Sequence, residues 1–76
     1  MDWNTVRTHF ESEISDAIKY KGIANRTEGC NHQVLIDMAW EEYTHAKHLL
    51  RMMKEHGVDA GNMDDMLFRT KETLSC

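Results

Sequence analysis

Residues 35–52 read LIDMAWEEYTHAKHLLRM, and the spacing of their apolar side chains decides the fold. The intervals alternate between three and four residues, so one face of an α-helix carries the whole set. That face consists of Leu35, Met38, Glu42, His45, Leu49 and Met52. A heptad seam of this kind packs against a second helix at about 20° in a bundle. Glu42 and His45 occupy the middle of the seam, where an unpaired charge is costly to bury.

A second seam with the same periodicity lies nearer the N-terminus. It consists of Val6, Phe10, Glu13, Ala17, Tyr20 and Ala24, and a carboxylate again falls near its middle. The midpoint between Glu13 and Glu42 falls inside the turn-forming segment 27–31, where Gly29 permits a tight bend. A hairpin folded there sets the two glutamates at the same height on facing helices. The pattern therefore predicts that Glu13, Glu42 and His45 converge between the helices.

The sequence predicts an all-α fold, in which an antiparallel two-helix hairpin is followed by a short C-terminal helix. The lack of proline and the abundance of Leu, Met, Ala, Glu and Lys favour helix throughout. We expect Asp2 or Asn4 to cap the first helix, Gly57 to end the second in a left-handed cap, and Asn62 to start the third. Residues 1–76 then form one domain, with helices over about 3–26, 32–56 and 63–73.

Charge and composition argue against several classes of protein. A formal net charge of −4 opposes nucleic-acid binding, because phosphate contacts need a basic face. No apolar run approaches the roughly 20 residues of a membrane-spanning helix, and the N-terminus is amphipathic rather than a secretory signal. Cys30 and Cys76 are too few for a disulfide framework and form no C-x-x-C pair. We expect a cytoplasmic protein with reduced thiols.

Size makes a metal or a second copy of the chain the expected source of stability. Chains this short bury only about 60% of the surface that the unfolded chain exposes. One hairpin supplies two carboxylates and one imidazole, and it leaves half of a four-helix core exposed. A two-fold related copy completes the core and gives four carboxylates and two histidines, the ligand set of dinuclear ferritin-like bundles. We predict a homodimer that shares a dinuclear site for iron or manganese, with structural zinc or manganese as an alternative.

Other polar residues near the seams each leave two interpretations open. Tyr20 lies two turns from Glu13 on the same face and is either a core aromatic or a hydrogen-bonding neighbour of the site. His9 lies one turn before Glu13 and is either a rim histidine or a residue that helps iron to enter. Glu11 falls off the seam. Four further residues are expected to be solvated: Asp16, Glu41, His48 and His56.

The combined pattern resembles the ferritin-like superfamily over roughly residues 6–54. Glu13 followed seven residues later by Tyr20, and the E-x-x-H-A run at 42–46, are elements shared with rubrerythrins. The separation of the two glutamates is more similar to that of encapsulated ferritins, which carry half a ferritin per chain. The resemblance implies a ferroxidase that oxidises Fe(II) to Fe(III) with O₂ or peroxide. The ligands would be Glu13, Glu42 and His45 from two chains, with Tyr20 beside them.

The resemblance also implies an assembly. Encapsulated ferritins stack dimers into rings through the C-terminal helix, a role that the segment from Met63 would take here. They also carry acidic residues that help iron to enter, whereas Ser12 and Ser15 flank Glu13 in this chain. Residues 73–76 are not the extended tail that directs cargo into an encapsulin shell, so packaging in its lumen is not expected. A rubredoxin-type Cys₄ domain is lacking, so a complete rubrerythrin electron path is not expected either.

The sequence thus predicts a di-iron ferroxidase for iron storage or detoxification, with rubrerythrin-like peroxide reduction as a close variant. The alternative is a helical interaction module, metal-free or with a structural metal, whose seam pairs with a partner helix.

Overall fold

Three helices make up the architecture of this computed structural model, which describes residues 1–75. They are α1 (Trp3–Asn25), α2 (Cys30–Glu55) and α3 (Met63–Ser75). The all-α prediction is confirmed, and each helix ends within two residues of its predicted bounds. Cys76 lies outside the described residues. Within residues 1–75, no helix has the length and apolar character needed to cross a membrane.

Asp2, rather than Asn4, caps the start of α1. Its Oδ1 accepts hydrogen bonds from the backbone N–H groups of Asn4 at 3.0 Å and Thr5 at 3.4 Å. The Thr5 hydroxyl donates to Oδ2 at 2.9 Å, and these bonds, with that of the hydroxyl foremost, hold the pKa of Asp2 below its usual value. The cap therefore stabilises the fold above the unfolded pKa of this carboxyl, and this contribution is lost as pH falls through the lower folded value.

The turn between α1 and α2 is built from Gly29 and a histidine. Gly29 has a φ of 81°, and its carbonyl accepts the backbone N–H of His32 at 3.2 Å, so α2 begins at Cys30 rather than at His32. The imidazole Nδ1 of His32 lies 2.8 Å from the carbonyl oxygen of Ala24 in the last turn of α1. The same carbonyl also accepts the backbone N–H of Thr27 at 3.1 Å, so the ring adds a second contact there and ties the start of α2 to the end of α1.

Gly57 ends α2 in the left-handed conformation that the sequence predicts. Its φ is 67°, and its N–H donates to the carbonyl of Lys54 at 3.0 Å. The next residue, Val58, donates to the carbonyl of Met53 at 3.0 Å and packs against the core beside it. These paired bonds and the apolar contact constitute a Schellman motif.

α3 packs against both helices of the hairpin, antiparallel to α2. Met63 joins the main core with Phe10 and Met53, whereas Leu74 packs on Ala17 and Ala39 at the other end. The linker before α3 is held by Arg7, whose guanidinium donates to the carbonyls of residues 59 and 60 at 2.8 and 3.3 Å. α3 is therefore fixed at both of its ends.

The buried line of α2 differs from the predicted seam. The buried residues of this helix are Ala39, Ala46, Leu50 and Met53, whereas the predicted seam is half-buried and His45 is exposed. The reason is that α2 packs against two helices, α1 and α3. The buried side chains of α2 are therefore those that point between these two helices, rather than those that point at α1 alone. On α1, by contrast, four residues of the predicted seam are buried: Phe10, Glu13, Ala17 and Ala24.

Among residues 1–75, no third helix packs against one flank of the hairpin. α3 lies beside Lys54, whose Nζ is 2.6 Å from Oδ1 of Asp64. Lys54 and His45 are nine positions apart, which is two and a half turns and places them on opposite sides of α2. We call the face of α2 that carries Met38, Glu42, His45 and Leu49 the uncovered flank, because α3 packs on the other side.

Candidate metal centre

Glu13 from α1 and the pair Glu42 and His45 from α2 meet at the middle of the hairpin. One possible ligand atom from each residue lies within 4.8 Å of the other two. Glu42 and His45 are three positions apart, so they project from one face of α2. The turn at residues 26–29 sets Glu13 opposite them. The hairpin therefore brings together the three residues that the sequence singles out.

The Glu13 carboxylate has a histidine at each of its oxygens. Its Oε2 lies 3.1 Å from Nδ1 of His45, across the interface between the helices. Its Oε1 lies 3.4 Å from Nε2 of His9, one turn earlier on α1. Only 8% of the Glu13 side chain is exposed, and a buried carboxylate is costly without such partners. The structure thus gives His9 a direct contact with a predicted ligand.

Exposure rises across the centre from α1 toward the uncovered flank. The exposed fractions of the side chains are 8% for Glu13, 25% for Glu42 and 59% for His45. His45 Nδ1 also lies 4.0 Å from Oε1 of Glu42. The sequence predicts a site buried between helices, whereas one chain buries only the α1 side of it. The other side opens onto the uncovered flank.

The donor set fits a divalent cation. Two carboxylates carry negative charge toward one imidazole nitrogen, and the combination of carboxylate and imidazole suits iron, manganese and zinc. Three ligands from one chain would leave coordination positions open to water, to a substrate or to a side chain of another chain. Glu13, Glu42 and His45 are the residues that would hold the ion.

The remaining candidates take up several different surroundings. Tyr20 is half-buried against the small core cluster that contains Ala17 and Leu74, so packing accounts for its ring. Glu11 is exposed, as expected for a residue off the seam. His56 is exposed but lies against Trp3, with ring centroids 5.2 Å apart. Asp16 is half-buried, and five further residues are exposed: Ser12, Ser15, Cys30, Glu41 and His48.

The sequence analysis does not predict two features of the structure. Lys21 is only 8% exposed, although lysine is rarely buried. Its spacing of four from Ala17 and three from Ala24 is the signal that places it near the α1 seam. The second feature is a groove between α2 and α3, which the sequence does not reveal because it depends on how α3 packs.

Comparison with protein-family models, with curated proteins and with solved structures finds no match to this chain. The likeness to ferritin-like proteins therefore rests on the sequence motifs described above.

Proposed function

We propose that two copies of this chain form a four-helix bundle with a dinuclear iron site and that this site oxidises Fe(II). The observation that supports the proposal is the convergence of Glu13, Glu42 and His45, one ligand atom of each lying within 4.8 Å of the other two. A chance E-x-x-H pair on one helix has no reason to face a buried carboxylate on another.

The open side of the centre supports the dimer. His45 and Glu42 lie on the uncovered flank, whose apolar members Met38 and Leu49 are half-buried in the single chain. A two-fold axis along this flank would bury these side chains and bring a second set of ligands alongside the first. The result is four carboxylates and two imidazoles, which is the ligand set of dinuclear carboxylate bundles.

The proposed reaction removes one electron from each of two Fe(II) ions. Both electrons pass to O₂, which takes up two protons and becomes hydrogen peroxide, while the iron leaves as Fe(III). With hydrogen peroxide as oxidant, the same two electrons and two protons yield two water molecules. In this scheme the carboxylates of Glu13 and Glu42 neutralise the cations, and His45 binds through a neutral nitrogen.

A titration of the purified protein with Fe(II) under anaerobic conditions tests the proposal. Binding should saturate near one iron per chain, and admitting O₂ should consume the Fe(II) that a ferrous chelator detects. Glu13→Ala and Glu42→Ala should each abolish binding and oxidation. The matched controls are Glu11→Ala and Glu41→Ala, which remove exposed carboxylates from the same two helices. Unchanged iron oxidation in both site variants would rule the proposal out.

One observation favours the metal-free alternative. The contacts of Glu13 with His45 and His9 already provide partners for its charge within one chain. If these contacts only stabilise a helical interaction module, a chelator leaves thermal stability unchanged. Replacing both carboxylates, as in the double variant Glu13→Leu with Glu42→Leu, should then stabilise the protein, as apolar replacement of buried charges often does.

The ferroxidase proposal expects chelator-sensitive stability instead, because metal binding is linked to folding. A structural zinc or manganese site would share that sensitivity but would not oxidise Fe(II).

A further inference from the structure

A groove of about 460 Å³ lies between α2 and α3, on the side of α2 away from the metal centre. Its volume falls within the range of small-molecule sites, roughly 300–1,000 Å³. Its residues on α2 run from Trp40 to Lys54, about four turns of helix. Leu67 of α3 forms part of the opposite wall. The groove shares no lining residue with the candidate metal centre.

The apolar surface of the groove includes two aromatic rings. Trp40 and Tyr43 both line it and are in edge-to-face contact, with centroids 5.4 Å apart and planes at 82°. Both are half-buried against the small core cluster at the end of α3, which holds them in place. Leu50 and Leu67 continue the apolar lining. A planar aromatic molecule would find both aliphatic contacts and ring edges or faces here.

The rim of the groove is cationic in a protein whose net charge is −4. Lys47, Arg51 and Lys54 line it at intervals of four and three, whereas Asp64 is the one carboxylate among its lining residues. Lys54 pairs with Asp64 at 2.6 Å, and Arg51 pairs with Glu55 at 3.5 Å. Within residues 1–75, Lys47 forms no ion pair. Its ammonium group is therefore available to an anion in the groove.

We propose that this groove binds a small aromatic anion, meaning a planar ring system that bears one carboxylate or similar group. The ring would lie against Trp40 and Tyr43, which contact each other, and the charge would face Lys47, one turn beyond Tyr43 on α2. Both parts of the ligand are needed for this fit. The basic rim would repel an aromatic cation, and an aliphatic carboxylate would make no ring contacts with the aromatic surface. The site depends neither on metal nor on Glu13, Glu42 or His45.

The experiment is an NMR titration of the purified protein with 2-naphthoate, followed through the two tryptophan indole N–H signals. The signal of Trp40 should shift, whereas that of Trp3 should not, because Trp3 packs against His56 outside the groove. Trp3→Phe assigns the two signals. Lys47→Glu should weaken binding at least about tenfold, since it removes a charge-assisted contact and adds repulsion. Lys19→Glu, the same reversal at an exposed position on α1, should change affinity by less than about twofold.

Three outcomes would overturn the proposal. The first is that the Trp40 signal does not shift at about 5 mM naphthoate, a concentration that would largely saturate a site with a dissociation constant of about 1 mM. The second is equal affinity for 2-naphthylmethylammonium, or for naphthoate in the Lys47→Glu variant, since either would remove the role of charge. The third is equal affinity for dodecanoate, which would remove the role of the rings. Because the groove variants leave the metal ligands intact, loss of naphthoate binding and loss of iron binding are separate results.

Discussion

His45 Nδ1 lies 3.1 Å from Oε2 of Glu13, although the two residues are 32 positions apart and belong to facing helices. The contact exists only if the hairpin turns where it does, because a shift of either helix by one residue rotates its side chain by about 100°. The same contact joins the buried residue of the candidate centre, Glu13, to its most exposed residue, His45. The register of the hairpin therefore determines whether the candidate centre can form.

Metal binding at this centre should stabilise the fold. A divalent ion that binds only the folded state at a hundred times its dissociation constant adds about 2.7 kcal/mol to the free energy of unfolding. We expect Fe(II), or Co(II) as an air-stable substitute, to raise the temperature of thermal unfolding, and a chelator to reverse the rise. Glu42→Ala should lose this response, because it removes a ligand.

The control for that experiment is the neighbouring residue. Glu41→Ala removes the same functional group from the next position on α2, but the side chain is exposed and lies outside the cluster of ligand atoms. It should keep the full metal-dependent rise in calorimetry. An equal loss of response in both variants would mean that the metal binds general surface charge rather than this centre.

His9 should tune the metal affinity without being required for it. Its Nε2 lies 3.4 Å from Glu13 Oε1 and so restrains the carboxylate from the side opposite His45. Loss of a residue that orients a ligand typically lowers metal affinity by about 10–100-fold. We expect His9→Ala to weaken Co(II) binding by roughly tenfold, measured in competition with a chelating dye. His48→Ala, an exposed histidine of α2, serves as control. Equal Co(II) affinity in the His9 variant and the wild type would mean that the contact of His9 with Glu13 does not contribute to metal binding.

The uncovered flank should be the dimer interface. Met38 lies one turn before Glu42 and is half-buried, although neither core cluster includes it. A lysine at this position would place two like charges near the two-fold axis, so Met38→Lys should convert a dimer into a monomer of 8.9 kDa. Light scattering coupled to gel filtration measures the mass.

Phe68→Lys provides the comparison for Met38→Lys. Phe68 is 61% exposed on α3, the helix that packs on the other side of α2 from His45, and its substitution should leave the dimer intact. If Phe68→Lys breaks the assembly while Met38→Lys does not, the chains associate through α3. The proposal of a metal site shared across the uncovered flank would then be wrong.

The sequence predicts the helices and the convergence of Glu13, Glu42 and His45 because both depend on local periodicity and on the position of one turn. The midpoint between Glu13 and Glu42 lies between residues 27 and 28, inside the turn, so a hairpin folded there places the two glutamates together. The helix ends are also marked by local chemistry, such as the side chain of Asp2 and the positive φ of Gly57.

The direction in which α2 faces could not be predicted from its own pattern. Heptad spacing gives Leu35, Met38, Leu49 and Met52 as a seam, but Ala39 and Ala46 are just as regular and become the buried line. Alanine is a weak signal of burial because it fits both surface and core. Only the packing of α3 decides between the two, and that contact joins residues far apart in the chain. The groove beside Trp40 depends on the same packing of α3, so the sequence pattern does not predict it.

Exchanging a single glycine for alanine should have opposite effects at two positions, which tests the helix boundaries directly. Gly57 has a φ of 67°, a conformation that costs a residue with a Cβ about 1–2 kcal/mol. Gly22 lies inside α1, and a Cβ there would meet its nearest atom, on Arg26, at an ordinary 3.7 Å. Gly57→Ala should therefore lower the free energy of unfolding by about that amount, whereas Gly22→Ala should raise it by roughly 0.5–1 kcal/mol. Urea denaturation of both variants with and without metal measures the two changes. A rise in the free energy of unfolding for Gly57→Ala would mean that α2 does not end at Gly57, and the Schellman motif that directs the chain into α3 would be wrong.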